Sequence, residues 1–342
     1  MALIERADEI RWTRLIRATV HRVRGWADAL TGPIPAGPQP APGPSPSAPP
    51  VYGRLRRVVL TDQVSRALFA EYAAHRKSDR GAEETGWVLL GLREADEAVV
   101  VATLPAGAER DAGEAHVRFN ADAQALASRI VRQADRRLTL LGVVHTHPGR
   151  LRHPSHGDYD GDRVWVRNLR GEEGVFGIGT VNREAKVSRE AKPSAGGVEG
   201  AVAYHPQPHA QVLDGLRFDW YTLAPDDSKY RPVPVELTIG PDLATPLRGV
   251  WDVVEEHAAR LDRLARQMTR VRFDVTDGRD GPALGVTVGL GEPGQAIRVL
   301  VEGKTVRYFY EAGGEGFQAD LPAGVAPDQG VYLLLAELAA RG

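Results

Sequence analysis

Between Val143 and Asp160 the chain reads VVHTHPGRLRHPSHGDYD, which holds four of its ten histidines together with a serine and two aspartates. His145 and His147 are two apart, a spacing that sends both imidazoles to one face of a β-strand. The apolar run LTLLGVV ahead of them predicts such a strand, ending where the histidines begin. Seven residues separate His147 from Ser155, and two separate Ser155 from Asp158, giving H-x-H-x7-S-x2-D. Two neutral imidazoles and a carboxylate are a three-ligand set that leaves a fourth position on Zn2+ open to water. Zinc lowers the pKa of that water towards neutrality. Such a site also needs a proton acceptor and a donor for a developing oxyanion. Ser155 is the candidate donor, since it lies between the ligands in sequence; the base must come from elsewhere.

Plainer readings compete for each residue. An HxH at a strand end can be a pair of surface histidines, and Ser155-x-x-Asp158 is a capping-box pattern ahead of a helix in DGDRVWVRNLR. Taken singly these suffice; they do not predict all the features together at this spacing. His153 and His156 fall off the ligand positions and read as loop, as do His205 and His209 in HPQPH. Arg150, Arg152 and Arg163 place positive charge around the motif, where it could steer an acidic substrate tail.

The remaining sequence must supply elements that position these groups. Hydrophobic residues make up 42% and charged residues 26% of the 342, the balance of a soluble globular protein with room for two domains. A net charge of −2 gives no electrostatic case for nucleic acid. With no cysteine, disulfides, thiolate ligands and a cysteine nucleophile are all excluded. No apolar run reaches the roughly 20 residues that span a bilayer, and the acidic N-terminus is not a secretory signal. Lysine occurs only at Lys77, Lys186, Lys192, Lys229 and Lys304 while arginine, alanine and glycine abound, a skew that suggests a GC-rich bacterial genome; the expected location is the bacterial cytoplasm.

Trp12, Leu15, Ile16, Val20, Val23, Trp26 and Leu30 mark an amphipathic helix within residues 1–31, and residues 32–50 are a Pro-rich linker. From Val51, strands alternate with helices: RLRRVVLTD, a helix over Asp62 to His75, GWVLLGL, EAVVVATLPA, a helix over Ala121 to Arg137, LTLLGVVHTH, and GVFGIGTVN. This alternation predicts an α/β domain over 51–240. Arg217 to Pro234 reads as a hairpin. Residues 241–342 read as a smaller α+β domain, with a helix over Val250 to Val271, strands at RFDVTDG, LGVTVGL, QAIRVLVEG and TVRYFYEAG, and a final helix. Gly289, Gly291 and Gly294 spell GxGxxG, but Pro293 and the strand that follows predict a hairpin turn rather than a dinucleotide loop.

The motif resembles the signature of the JAMM (MPN+) metalloprotease family, an upstream glutamate followed by H-x-H-x7-S-x2-D. In that family the glutamate opens a segment E-x-x-G-hydrophobic-x-x-G, and Glu84-Thr85-Gly86-Trp87-Val88-Leu89-Leu90-Gly91 holds the matching place. The ETG opening is similar to bacterial members that read ETGG, with Trp87 as bulk where they carry the second glycine, a change that bears on substrate access. Glu83 is the adjacent rival; strand alternation allows only one of the two to face a metal, and the distance to Gly91 favours Glu84.

The resemblance covers roughly Val51 to Val187. It implies a JAMM/MPN (cytidine-deaminase-like) mixed sheet with flanking helices, an α/β fold beside the smaller α+β domain. It implies that His145, His147 and Asp158 bind one Zn2+ with its water, that Glu84 moves the proton and that Ser155 steadies the oxyanion. Trp87, Arg150 and Arg152 are the candidate substrate contacts. The implied activity is an isopeptidase or peptidase acting after the C-terminal tail of a ubiquitin-like protein. Bacterial members accompany conjugation systems with E1-like and E2-like enzymes, some in phage defence. The 241–342 domain is then the candidate substrate- or partner-binding part. Two other readings are a non-catalytic JAMM-like scaffold and a RadC-like DNA-associated protein, which also carries HxHP followed by S-x-x-D. The complete ligand set argues against the first; the near-neutral charge and missing DNA-binding motif argue against the second.

Overall fold

The structure, a computed structural model, describes residues 51–114, 116–149, 151–182 and 207–340. The expected N-terminal helix and Pro-rich linker, Arg150 and His205 lie outside the described residues. The described chain divides into two compact units at Glu255/Glu256.

In the first unit, β1 (Arg57–Thr61) passes directly into α1 (Asp62–His75). Thr61 makes the junction: its backbone is extended, its hydroxyl accepts from the Val64 amide, and Asp62 places negative charge in the first turn. Val64, Leu68, Phe69 and Tyr72 form the buried stripe of the helix. β2 (Gly86–Arg93) and β3 (Glu97–Pro105) follow, then the short pair β4 (Asp111–Ala112) and β5 (Val117–Arg118). α2 (Ala121–Val131) leads to β6 (Thr139–Thr146), α3 (His156–Trp165) and β7 (Gly174–Val181). The chain then forms β8 (Ala210–Leu213), β9 (Leu216–Leu223), β10 (Arg231–Pro232) and β11 (Val235–Thr238).

These strands make one nine-stranded mixed sheet, ordered β10-β9-β7-β6-β2-β3-β1-β11, with β8 also on β9. β1 runs parallel to β3 and β11, and β6 runs parallel to β7; the other pairs are antiparallel. The main core centres on Phe218, which packs edge-on to Phe69 at 4.9 Å and against Trp87 at 6.2 Å.

The register of β2 on β6 is what builds the site. Gly86 lies opposite His145, so the residues entering β2 come alongside the histidines leaving β6. The approach requires glycine: a Cβ on Gly86 would lie 2.6 Å from the Val144 carbonyl oxygen. Further along, a bulge falls between Leu89 and Leu90, and opposite it Gly142 has no room for a Cβ, which would meet the Val175 oxygen at 1.7 Å.

Three details differ from the sequence reading. α2 ends at Val131 instead of continuing to Arg137, because QADRR offers nothing apolar to bury and folds into turns closed by Ala134 N–H to Val131 O and Leu138 N–H to Asp135 O. The edge strands β8 and β11 carry no long apolar alternation and were not expected. The first unit also runs past the boundary expected at residue 240. Buried Asp242 accepts from the Thr103 amide and hydroxyl and from Arg248, and the Thr61 hydroxyl donates to Pro241, which ties this segment to β1 and β3.

The second unit carries the last part of α4 (Trp251–Gln267) and an antiparallel sheet. Its strands follow chain order: β12 (Val271–Asp277), β13 (Pro282–Gly289), β14 (Ala296–Glu302), β15 (Thr305–Ala312) and β16 (Glu315–Ala319). α5 (Pro327–Ala340) packs on this sheet. The GxGxxG stretch is the β13–β14 turn, closed by the Leu290 amide on the Gln295 carbonyl with Gly294 at φ 77°. No helix starts there, so the dinucleotide motif is accidental. Among the described residues, no helix is long and apolar enough to cross a membrane.

Candidate metal centre

His145 is the penultimate residue of β6, and His147 stands just beyond the strand, held by its amide on the Gly179 carbonyl at 2.9 Å. Both are buried, at 7% and 5% exposure. The Nδ1 of His147 lies 2.9 Å from the Leu151 carbonyl oxygen. A carbonyl only accepts, so Nδ1 carries the proton and Nε2 of the neutral ring is left bare.

Asp158 arrives from α3, whose first turn is fixed by a reciprocal cap. The Ser155 amide donates to Asp158 Oδ2 at 2.6 Å, and the Asp158 amide donates to Ser155 Oγ at 3.1 Å. The two Nε2 atoms are 3.0 Å apart, and the Asp158 oxygens lie 3.4 Å from that of His145 and 3.5 Å from that of His147. A tetrahedral ion with bonds of about 2.0–2.1 Å sets its ligand atoms about 3.3 Å apart. The donor types and their spacing therefore fit a zinc-like ion. Among the described residues, this is the one group of three or more such side chains close enough to share an ion.

The electrostatics agree. Burial alone would raise the Asp158 carboxyl, but the adjacent imidazoles of His145 and His147 and the Ser155 amide hold it far below the ordinary range. Burial opposes charge on His145, yet Asp158 and Glu84 together raise its pKa. Asp158 is thus held ionised, the form in which a carboxylate ligates a cation.

Glu84 lies two residues before Gly86 and is 5% exposed. Its amide donates to the Gly113 carbonyl at 2.7 Å. Burial pushes its carboxyl up, while the nearby histidines pull it back. Glu83 is turned elsewhere and pairs with Arg80 at 2.7 Å. Glu84, just ahead of β2, is thus the one of the two whose carboxyl feels the charges of His145, His147 and Asp158.

Trp87 does not line the site. It is 2% exposed, sits in the core with Phe218, and its indole donates to Glu71 at 2.5 Å. The expectation that it contacts substrate is corrected: one step along β2 from Gly86 points its ring at α1. Arg152 is half-buried, and its carbonyl accepts from the Tyr221 hydroxyl at 3.0 Å. Arg150 lies outside the described residues.

Sequence reasoning missed Asp162. It sits one turn beyond Asp158 on α3, accepts from Trp165 Nε1 at 3.1 Å and from the Tyr230 hydroxyl at 2.7 Å, and burial raises its pKa to about 6. The i, i+4 spacing from Asp158 was the available signal; its tyrosine partner, far away in sequence, left none.

Residues 65–192 match the profile of prokaryotic homologs of the JAB domain. The solution structure of protein DSY2949 from Desulfitobacterium hafniense is similar over 54% of this chain and 94% of that one, at 16% identity and a TM-score of 0.33. A search of curated proteins found no match to this chain.

Proposed function

We propose that this chain, whose residues 65–192 match prokaryotic homologs of the JAB domain, is a zinc-dependent peptidase that cleaves an isopeptide or peptide bond after the C-terminal tail of a ubiquitin-like protein. The observation that carries the reading is the convergence of two imidazole Nε2 atoms and a carboxylate, all within 4.8 Å of one another, beside the buried Glu84. His145 and His147 would hold the ion through Nε2, and Asp158 through its carboxylate. Such an ion supplies a Lewis acid and brings the pKa of a water to near 7.

The chain's own groups do the rest. Glu84, with its carboxyl pKa raised by burial, accepts a proton during attack and returns it to the leaving amine. Ser155 Oγ already accepts from the Asp158 amide, which leaves its proton free to point at the oxyanion. Leu151 keeps His147 in the tautomer that presents Nε2. The proposed setting is the bacterial cytoplasm, beside E1-like and E2-like conjugation enzymes.

Glu84→Gln tests the reading on fusions that carry a ubiquitin-like tail. The variant is expected to keep its metal and lose cleavage by about 10²–10⁴-fold. Cleavage at the wild-type rate would remove Glu84 from the mechanism.

A further inference from the structure

Ser155 belongs both to the metal centre and to the wall of a neighbouring cavity of about 360 Å³. The rest of that wall includes the rings of Tyr159, Tyr221 and Tyr230, with His153, Pro154 and His156 beside them. Each phenol proton is already committed: Tyr159 donates to the Asp227 carbonyl at 2.8 Å, Tyr221 to the Arg152 carbonyl at 3.0 Å and Tyr230 to Asp162 at 2.7 Å. The rings also brace one another edge to face, Tyr230 meeting Tyr159 at 6.2 Å and Tyr221 at 6.3 Å. The pocket is therefore preformed, and it offers a guest mainly ring carbon.

The guest is not a cation. Tyrosine rings often hold cations, but Arg163 already lies over the Tyr159 ring at 5.4 Å, and Lys229 stands on the rim. A second cation would meet repulsion from both. The volume is at the small end for a ligand site, enough for one large side chain but not for a cofactor.

We propose that this cavity is a specificity pocket of the metal centre, taking one leucine-sized or aromatic side chain of a peptide substrate close to the scissile linkage. The assignment rests on the peptidase reading for its biological meaning. Placement follows from Ser155: a carbonyl oxygen on its hydroxyl puts the flanking residues of the peptide at the mouth of the tyrosine pocket. A tail with only small residues near the bond would leave the pocket empty and lose affinity.

Binding can be read without turnover. The probes are the N-acetyl amides of phenylalanine, leucine, glycine and lysine, titrated into full-length ¹⁵N-labelled protein while the amide resonances of residues 156–159 and 228–230 are followed. The phenylalanine and leucine probes are expected to give saturable shifts there in the millimolar range, with glycine and lysine at least tenfold weaker. Ser228 is exposed on the rim, so Ser228→Trp should plug the cavity without disturbing the core and weaken the phenylalanine probe at least tenfold. Ser228→Leu serves as a smaller plug if the spectrum of the tryptophan variant departs from native.

Three results would overturn the pocket: no saturable shifts at these residues, lysine binding as well as phenylalanine, or a folded plug variant that binds like wild type. Because no probe is cleaved, loss of the peptidase reading would show separately, as a protein that binds phenylalanine amide yet holds no metal and cleaves no fusion.

Discussion

The Ser155 amide reaches the Asp158 carboxylate at 2.6 Å while the Asp158 amide reaches the Ser155 hydroxyl at 3.1 Å, so the contact that caps α3 is also the contact that aims a candidate metal ligand. Capping and ligation are not rival explanations of S-x-x-D here. The first of these hydrogen bonds uses the backbone N–H of Ser155 and is kept by any side chain except proline.

That distinction makes a prediction. Ser155→Ala should keep the metal, lose about 1 kcal/mol of stability with its cap, and lose about 10²-fold in turnover with its oxyanion donor. Ser155→Asp should restore the cap and the stability but not the turnover, since a carboxylate cannot donate. Urea unfolding and turnover on the same preparations separate the two effects. If Ser155→Asp recovered both, the hydroxyl would have no role beyond capping.

The His145, His147, Ser155 and Asp158 spacing was legible because strand alternation and a helix cap are local geometries with fixed offsets. The limits of α1 were legible for the same reason, since Thr61 caps it and its apolar stripe stops at Tyr72. What the sequence could not disclose depends on pairings between distant segments. The burial of Trp87 follows from α1 lying on that side of the sheet. Tyr230 meets both Tyr159 on α3 and Tyr221 on β9, contacts between segments far apart in sequence that no periodicity announces.

Asp162 should give the fold a pH dependence of definite sign. Its carboxyl is raised from 3.8 to about 6, chiefly by burial. The folded protein therefore keeps this proton up to about pH 6, while the unfolded chain releases it near 4. The contribution is intact below the lower value and is lost as pH rises through the higher one. Asp162→Asn carries no charge to bury, so its stability relative to wild type should grow by about 1–2 kcal/mol between pH 4 and 7. Urea unfolding in chelator, across that range, checks it; a constant difference would mean that Asp162 titrates normally.

Glu173 should matter for stability and not for chemistry. It is 3% exposed, accepts from the Leu55 amide at 2.6 Å and from Arg231 at 2.8 Å, and lies 3.8 Å from the buried guanidinium of Arg93. Glu173→Ala strands Arg93 without a counter-ion and should cost about 3–5 kcal/mol. Chemical unfolding measures the loss. Metal content of the protein that remains folded should match wild type, and a selective loss of metal would connect this network to the site.

The central claim is that His145, His147 and Asp158 hold an ion together. The direct test is metal content by mass spectrometry on wild type and on Asp158→Ala, both purified without a metal-affinity tag. About one zinc per chain in wild type, lost in the folded variant, is the predicted result. A folded wild type that carries no metal, even after incubation with zinc and removal of the excess, would contradict it and leave the histidines as part of a capped loop.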